Sequence, residues 1–318
     1  MDTTRVTRRA RTALALATGT VLTAVVVQVP ASATATVAGH RNAAAAPIAP
    51  HSTHSIQAFD ATSHDATSHI ATSHDAASHI ATSHDAASYG DTYYKDAIGK
   101  TGPALKESLH RIISTTQTGK LTYDEVWDAL KDTDQDPANS AHVILLYSGR
   151  SASKDANGGG PNDWNREHVW AKSHGDFGTD TGPGTDLHHL RPADVSVNSA
   201  RGDKDFDKGG TEVAEAPGNF TDDDSFEPRD AVKGDVARMI LYMAVRYDGG
   251  DGFPDLEPND KVGNGTEPHI GKLSVLKQWS KQDPPDAFEK HRNQVIFDKY
   301  QHNRNPFIDH PEWVDAIW

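Results

Sequence analysis

Glu167 and His168 are neighbours, and Asn198 follows about thirty residues later in a stretch that also carries Arg201. A carboxylate and an amide oxygen are hard donors, better suited to magnesium, calcium or manganese than to zinc. An imidazole takes a proton from water near neutral pH, and the guanidinium of Arg166 or Arg201 matches the oxygens of a phosphate. Together these groups could activate a water, hold one cation and grip a phosphate, which is what hydrolysis of a phosphodiester on a single metal ion requires. Three runs carry them: Asn165-Arg166-Glu167-His168-Val169-Trp170, Asp186-Leu187-His188-His189-Leu190-Arg191-Pro192, and Val197-Asn198-Ser199-Ala200-Arg201-Gly202-Asp203-Lys204.

Adjacent residues on an extended strand face opposite ways. At a strand end, one of the pair Glu167–His168 can point at a metal and the other at a water. Asn198 falls in a short segment, Ala193 to Ala200, that can be helical and pack over such strands. The expected unit is therefore strand, loop, strand, helix. Around it, Pro103 suits the first turn of a helix running to about Ser114. Thr122 with Glu125 three residues on forms a capping box opening a helix that carries Val126, Trp127 and Leu130. Val143 to Tyr147 reads as a short buried strand ending at Gly149, and the Gly158-Gly159-Gly160-Pro161 loop leads to the first motif. Asp230 can cap a helix with Val236, Met239, Ile240, Met243 and Ala244 in one apolar stripe. Leu273 to Trp279 and Ala287 to Tyr300 read as two more helices. The polar, Pro-bearing tail from Asn303 to Trp313 is expected to wrap the domain and support the site. The fold class is α+β: one helix-rich domain with a few short strands.

The 318 residues are not uniform. Residues 1–33 have the layout of a cleavable secretory signal, with Arg5, Arg8, Arg9 and Arg11, an apolar stretch from Ala13 to Val27, and Ala31-Ser32-Ala33. The residues after Arg8-Arg9 fit the twin-arginine route poorly, and the apolar stretch is too short and too rich in Thr and Gly to serve as a membrane anchor. Residues 34–88 are Ala, Thr, Ser and His, with a ten-residue repeat that sets His64, His69, His74, His79 and His84 five apart. Such a composition builds no core, so a disordered linker is expected. Residues 89–318 are the expected folded domain, large enough to be stable without cysteine, of which the chain has none.

The net charge is −14. Residues 1–90 balance five basic side chains (Arg5, Arg8, Arg9, Arg11, Arg41) against five acidic ones (Asp2, Asp60, Asp65, Asp75, Asp85), so the imbalance belongs to the domain. Affinity for a polyanion must then come from a local basic groove.

Several features have plainer readings. Asp132-Thr133-Asp134-Gln135-Asp136 starts like a calcium loop, but Pro137 stands where that loop needs Gly and its twelfth position lacks Glu. Asp248, Asp251 and Asp255 read as a solvated turn, Trp164 and Trp170 as packing residues, and His188 as a structural hydrogen-bonding group. No His-Glu-x-x-His pattern supports a zinc hydrolase. Arg166 and Arg201 could instead pair with local acids such as Asp203 or Asp205.

The three runs, together with the Asn303–Trp313 tail, resemble the bacterial endonuclease I family of the His-Me finger, or ββα-metal, nucleases. The resemblance spans roughly residue 95 to the end, with several separate motifs in the right order. It implies a secreted nuclease that cuts DNA, and often RNA, with little sequence preference, leaving 5′-phosphate and 3′-hydroxyl ends. By position it implies His168 as general base, and Glu167 and Asn198 as the protein ligands of one Mg2+, with Ca2+ or Mn2+ as substitutes. Arg201 and Arg166 are the candidates for contact with phosphate. His189 stands where many relatives carry Asn. A monomer, free or held at the cell wall, is expected. The competing reading is a noncatalytic wall-associated module that captures metal through the His repeat.

Overall fold

The computed structural model describes residues 92–318. The signal, the His-repeat linker and the first residues of the expected domain lie outside them.

Helix α1, Gly102–Thr116, starts with Pro103 in its first turn and buries Leu105, Leu109 and Ile113, spaced for one face. Helix α2, Glu125–Thr133, opens as expected: Glu125 accepts from the Thr122 N–H at 2.7 Å, and the Thr122 hydroxyl accepts from the Glu125 N–H at 3.4 Å. Strands β1 (Gln135–Asp136), β2 (Asn139–Ile144) and β3 (Ser151–Ser153) form an antiparallel sheet in that order. The expected strand Val143–Tyr147 is corrected here, because β2 ends at Ile144. Leu145 to Gly149 is a turn closed by the Gly149 N–H donating to the Leu145 carbonyl at 2.9 Å, with Gly149 at φ 69°. Leu145, Leu146 and Tyr147 are fully buried all the same. An apolar run signals burial, and the chain achieves it here without extension.

β4, Trp164–His168, pairs antiparallel with β5, Leu190–Asp194, in a register that sets Trp164 opposite Asp194 and His168 opposite Leu190. Helix α3, Val195–Arg201, follows at once and packs against both strands. This is the expected strand–loop–strand–helix unit. Beyond it, β6 (Asp205–Phe206), β7 (Thr211–Glu212), β8 (Phe220–Thr221) and β9 (Ser225–Glu227) make a small sheet in the order β6-β9-β8-β7.

Helix α4, Lys233–Arg246, differs from expectation in two ways. Asp230 does not cap it; its carboxylate lies 2.7 Å from the Lys233 ammonium, and a tight turn over Asp230–Val232 precedes the helix. Nor does the helix bury a single stripe: every residue from Gly234 to Arg246 is buried, as befits a helix enclosed by its neighbours. After the parallel pair β10 (Glu257–Pro258) and β11 (His269–Ile270), helix α5, Leu273–Gln282, packs along α4. The approach is close where the α4 start meets the residue after α5. A Cβ on Gly234 would fall 1.9 Å from the Asp283 carbonyl oxygen, so only glycine fits.

Helix α6, Ala287–Val295, is capped by Asp286, which accepts from the Glu289 N–H, and its last turn widens over Ile296–Tyr300. The tail does wrap the domain, through helices α7 (Pro306–Asp309) and α8 (Trp313–Ile317). Its Asn residues go inward. Asn303 and Asn305 are fully buried, and Asn305 accepts from the Phe307 N–H at 3.0 Å while donating to the Arg238 carbonyl at 3.0 Å.

A buried ionic cluster ties these elements together. Asp134, after α2, pairs with Arg191 of β5 at 2.5 Å and with Arg292 of α6 at 3.2 Å. Arg191 also reaches Asp235, and Arg238 of α4 forms a two-pronged bond to Glu289 at 2.7 and 2.6 Å. Three cations thus meet three carboxylates. Among the described residues no helix is long and apolar enough to cross a membrane.

Candidate active site

The two-residue period of β4 divides its side chains between two faces. Asn165 and Glu167 share one, and Arg166 and His168 share the other. Helix α3 lies over the first face and brings Asn198 to it. The Asn198 amide donates to Asn165 Oδ1 at 2.7 Å, which leaves Asn198 Oδ1 as the free end of the amide. Glu167 Oε1 accepts from the Tyr147 hydroxyl at 2.7 Å and lies 3.5 Å from Arg201 Nη1. Burial raises the pKa of Glu167, while Arg201 and the Tyr147 bond act in the opposite direction.

His168 sits at the strand end, as the sequence requires. Its Nε2–H donates to the Gly184 carbonyl at 3.0 Å. A carbonyl only accepts, so the proton is on Nε2 and the Nδ1 lone pair remains available. Burial, then the nearby His189, Lys172 and Arg166, pushes the His168 pKa down to about 3, against a weaker opposing effect from the Gly184 bond. The ring is therefore neutral at ordinary pH. Gly184 belongs to a tight turn over Pro183–Thr185, and a Cβ there would lie 2.8 Å from the Gly178 carbonyl oxygen.

These groups open on a cleft of about 540 Å³, whose lining includes Tyr123, Asn165, Arg166, Glu167, His168, Lys172, Asn198, Arg201 and Asp203. The structure thus brings all five sequence-predicted residues together. Glu167 Oε2 and Asn198 Oδ1 accept no hydrogen bond among the described residues. Two free hard oxygens on one open cleft fit a magnesium-like ion, which keeps several waters when bound, and they fit zinc poorly.

The two arginines are differently engaged. Arg201 is 1 % exposed, and its guanidinium donates to the carbonyls of His168 at 3.1 Å and Val169 at 2.7 Å. It ties the end of β4 to α3. Arg166 stacks on Tyr123, with Cζ 3.4 Å from the ring centroid, and on Trp127 at 4.1 Å. It also donates to the Tyr123 carbonyl. Neither pairs with Asp203 or Asp205. The Lys172 ammonium, on an exposed residue lining the cleft, has no ion-pair or hydrogen-bond partner among the described residues.

Both histidines of the second run are inside. His189 donates from Nε2 to the Pro183 carbonyl at 2.7 Å and accepts the Trp170 N–H on Nδ1 at 3.3 Å, so it braces the turn that holds His168. His188 Nε2 faces the carbonyl and side-chain oxygens of Asn303 at 3.3 and 3.2 Å. That is the structural bond expected of it, and it links the finger to the tail. Trp164 and Trp170 are fully buried packing residues, with indole N–H groups donating to the Ser153 and His174 carbonyls. Sequence reasoning missed Tyr147, Tyr123, Lys172 and the Gly184 carbonyl. Tyr147 ends the apolar run before Gly149 and Tyr123 lies inside the capping box, but neither position advertises a contact with the site.

The chain matches the Endonuclease I family model over residues 101–312. An extracellular ribonuclease of Bacillus amyloliquefaciens is 68 % identical over 228 residues, 72 % of this chain and 78 % of that protein. An extracellular ribonuclease of Bacillus subtilis is 69 % identical over 228 residues, again 72 % of this chain and 78 % of that protein. An extracellular deoxyribonuclease of Aeromonas hydrophila is 32 % identical over 129 residues, 39 % of this chain and 49 % of that protein.

Proposed function

We propose, because the chain belongs to the endonuclease I family, that this nuclease acts outside the cell as a sequence-nonspecific, divalent-metal-dependent endonuclease on RNA and also on DNA. The observation that carries the reading is the convergence of Glu167, His168 and Asn198 on one open cleft, with two oxygens and one imidazole lone pair unclaimed. RNA comes first because the relatives named as ribonucleases share 68 and 69 % of residues over most of this domain.

Glu167 and Asn198 would hold one cation, Mg2+ by the hardness of its donors. When bound, such an ion neutralises charge on the phosphate and stabilises the departing oxygen. His168 takes the proton from the attacking water at Nδ1, while the Gly184 carbonyl keeps the other ring proton on Nε2 and shares the charge that develops. The water oxygen bonds to phosphorus, the bond to the 3′ oxygen breaks, and that oxygen takes a proton from solvent, giving 5′-phosphate and 3′-hydroxyl ends. Tyr147 and Arg201 hold the Glu167 carboxylate in place. Lys172 and the exposed edge of Arg166 offer positive charge to backbone phosphates, which carry no sequence information, so cutting is nonspecific.

Digestion of total RNA and supercoiled plasmid, with Mg2+ or with excess EDTA, tests the proposal beside His168→Ala. Metal-dependent cutting that the variant loses is the expected result. Cutting that survives EDTA, or that His168→Ala retains, would overturn it.

A further inference from the structure

A hydrogen bond to one nitrogen fixes where an imidazole points but leaves the ring free to rock about that bond. The lone pair on the other nitrogen lies in the ring plane, so rocking carries it away from the water it must deprotonate. His168 needs a further restraint on its plane; His189 and Phe177 lie tilted against the ring, and the near-parallel contact comes from the face of β4 that His168 shares with Arg166. The ring of Tyr123 stacks on the His168 ring, with centroids 5.7 Å apart and 25° between planes. The same tyrosine ring lies 3.4 Å from Arg166 Cζ. Tyr123 thus lies against both Arg166 and His168.

The backbone at Tyr123 is itself held. It lies inside the capping box that opens α2, between Thr122 and Glu125, and its carbonyl accepts from Arg166. Trp127, one turn on, covers Arg166 at 4.1 Å and packs edge-on against Trp164 at 5.3 Å. The pairwise contacts thus link Trp127, Arg166, Tyr123 and His168 in that order.

We propose that Tyr123 is a positioning residue: its flat ring sets the plane of the His168 imidazole and so the direction of the Nδ1 lone pair. This rests on His168 being the general base. The flat ring does the positioning; the tyrosine hydroxyl plays no part in it.

The test uses Tyr123→Phe, Tyr123→Leu and Tyr123→Ala in the full-length protein, each also combined with His168→Ala. Leu keeps apolar volume without a flat ring, which guards against simple unfolding, and melting temperatures are read alongside. Phe should keep kcat on RNA within about twofold, whereas Leu and Ala should lower it by about tenfold or more, with KM little changed. In the His168→Ala background, none should lower the residual rate further, because the effect passes through the imidazole.

Unchanged kcat in Leu and Ala would overturn the proposal. So would a loss in Phe equal to that in Ala, a rise in KM at constant kcat, or a loss that persists without His168. If His168→Ala itself keeps full turnover, the general-base reading has failed. If His168→Ala is inactive and the Tyr123 variants are not, only the positioning role has failed.

Discussion

Burial acts on Glu167 and His168 in the same sense: it disfavours the charged form of each. For the histidine this is useful, since a base must be neutral to accept a proton. For the carboxylate it is a strain that a bound cation would relieve. The two substitutions should therefore fail differently. His168→Ala should lose turnover by about 100-fold or more while still binding Mn2+ and RNA. Asn198→Ala should weaken Mn2+ binding and raise the Mg2+ needed for half-maximal rate, and equal metal affinity in the two variants would count against the assignment. Arg201 belongs to a third class. Its guanidinium donates to the His168 and Val169 carbonyls and lies 3.5 Å from Glu167, so Arg201→Met should lower stability by about 3 kcal/mol in denaturant unfolding. Donor chemistry and the resemblance to the endonuclease I family singled out Glu167, His168 and Asn198, and the fold sets all three on one cleft. The sequence could not tell a phosphate-binding arginine from one that clamps backbone carbonyls. That difference depends on which elements close around the guanidinium.

At the scale of elements, local signals carried far. The capping box at Thr122 and Glu125, the proline at the start of α1 and the brief helix after β5 all formed where local chemistry placed them. Misreadings arose where tertiary burial overrode pattern: Leu145 to Tyr147 go inside as a turn, and α4 is enclosed rather than striped. The segment joining the loop to β5 has a pH-dependent consequence. Burial pushes His188 and His189 each down to about 4, from an ordinary value of 6.5. The unfolded chain thus binds more protons than the folded one between those values. Stability from keeping these rings neutral is complete above pH 6.5 and is lost as pH falls towards 4. Urea midpoints should therefore drop across that window, and His189→Asn should flatten the slope. A midpoint as high at pH 4.5 as at pH 7 would contradict the burial of these rings.

Across the whole molecule, the net charge of −14 falls entirely outside the buried ionic cluster, which sums to zero. Asp134, Asp235 and Glu289 are internal and matched by Arg191, Arg238 and Arg292. Composition registers all six residues but cannot show that they neutralise one another, or that Asp134, in what starts like a calcium loop, serves this cluster. Arg191→Met should cost about 3–5 kcal/mol, since it leaves Asp134 short of a partner inside the protein. Thermal unfolding of that variant gives the measure, and a shift within error would mean the cluster is not a keystone.

Helix α4 is covered along its whole length by α1, α5, α7 and β10. A helix with no outer face cannot fray towards solvent while its neighbours stay in place. Its amide protons from Gly234 to Arg246 should therefore exchange with deuterium only when the entire domain opens, each reporting the same free energy. The fold carries its own stability gauge at its centre, legible in a mass spectrum without any denaturant.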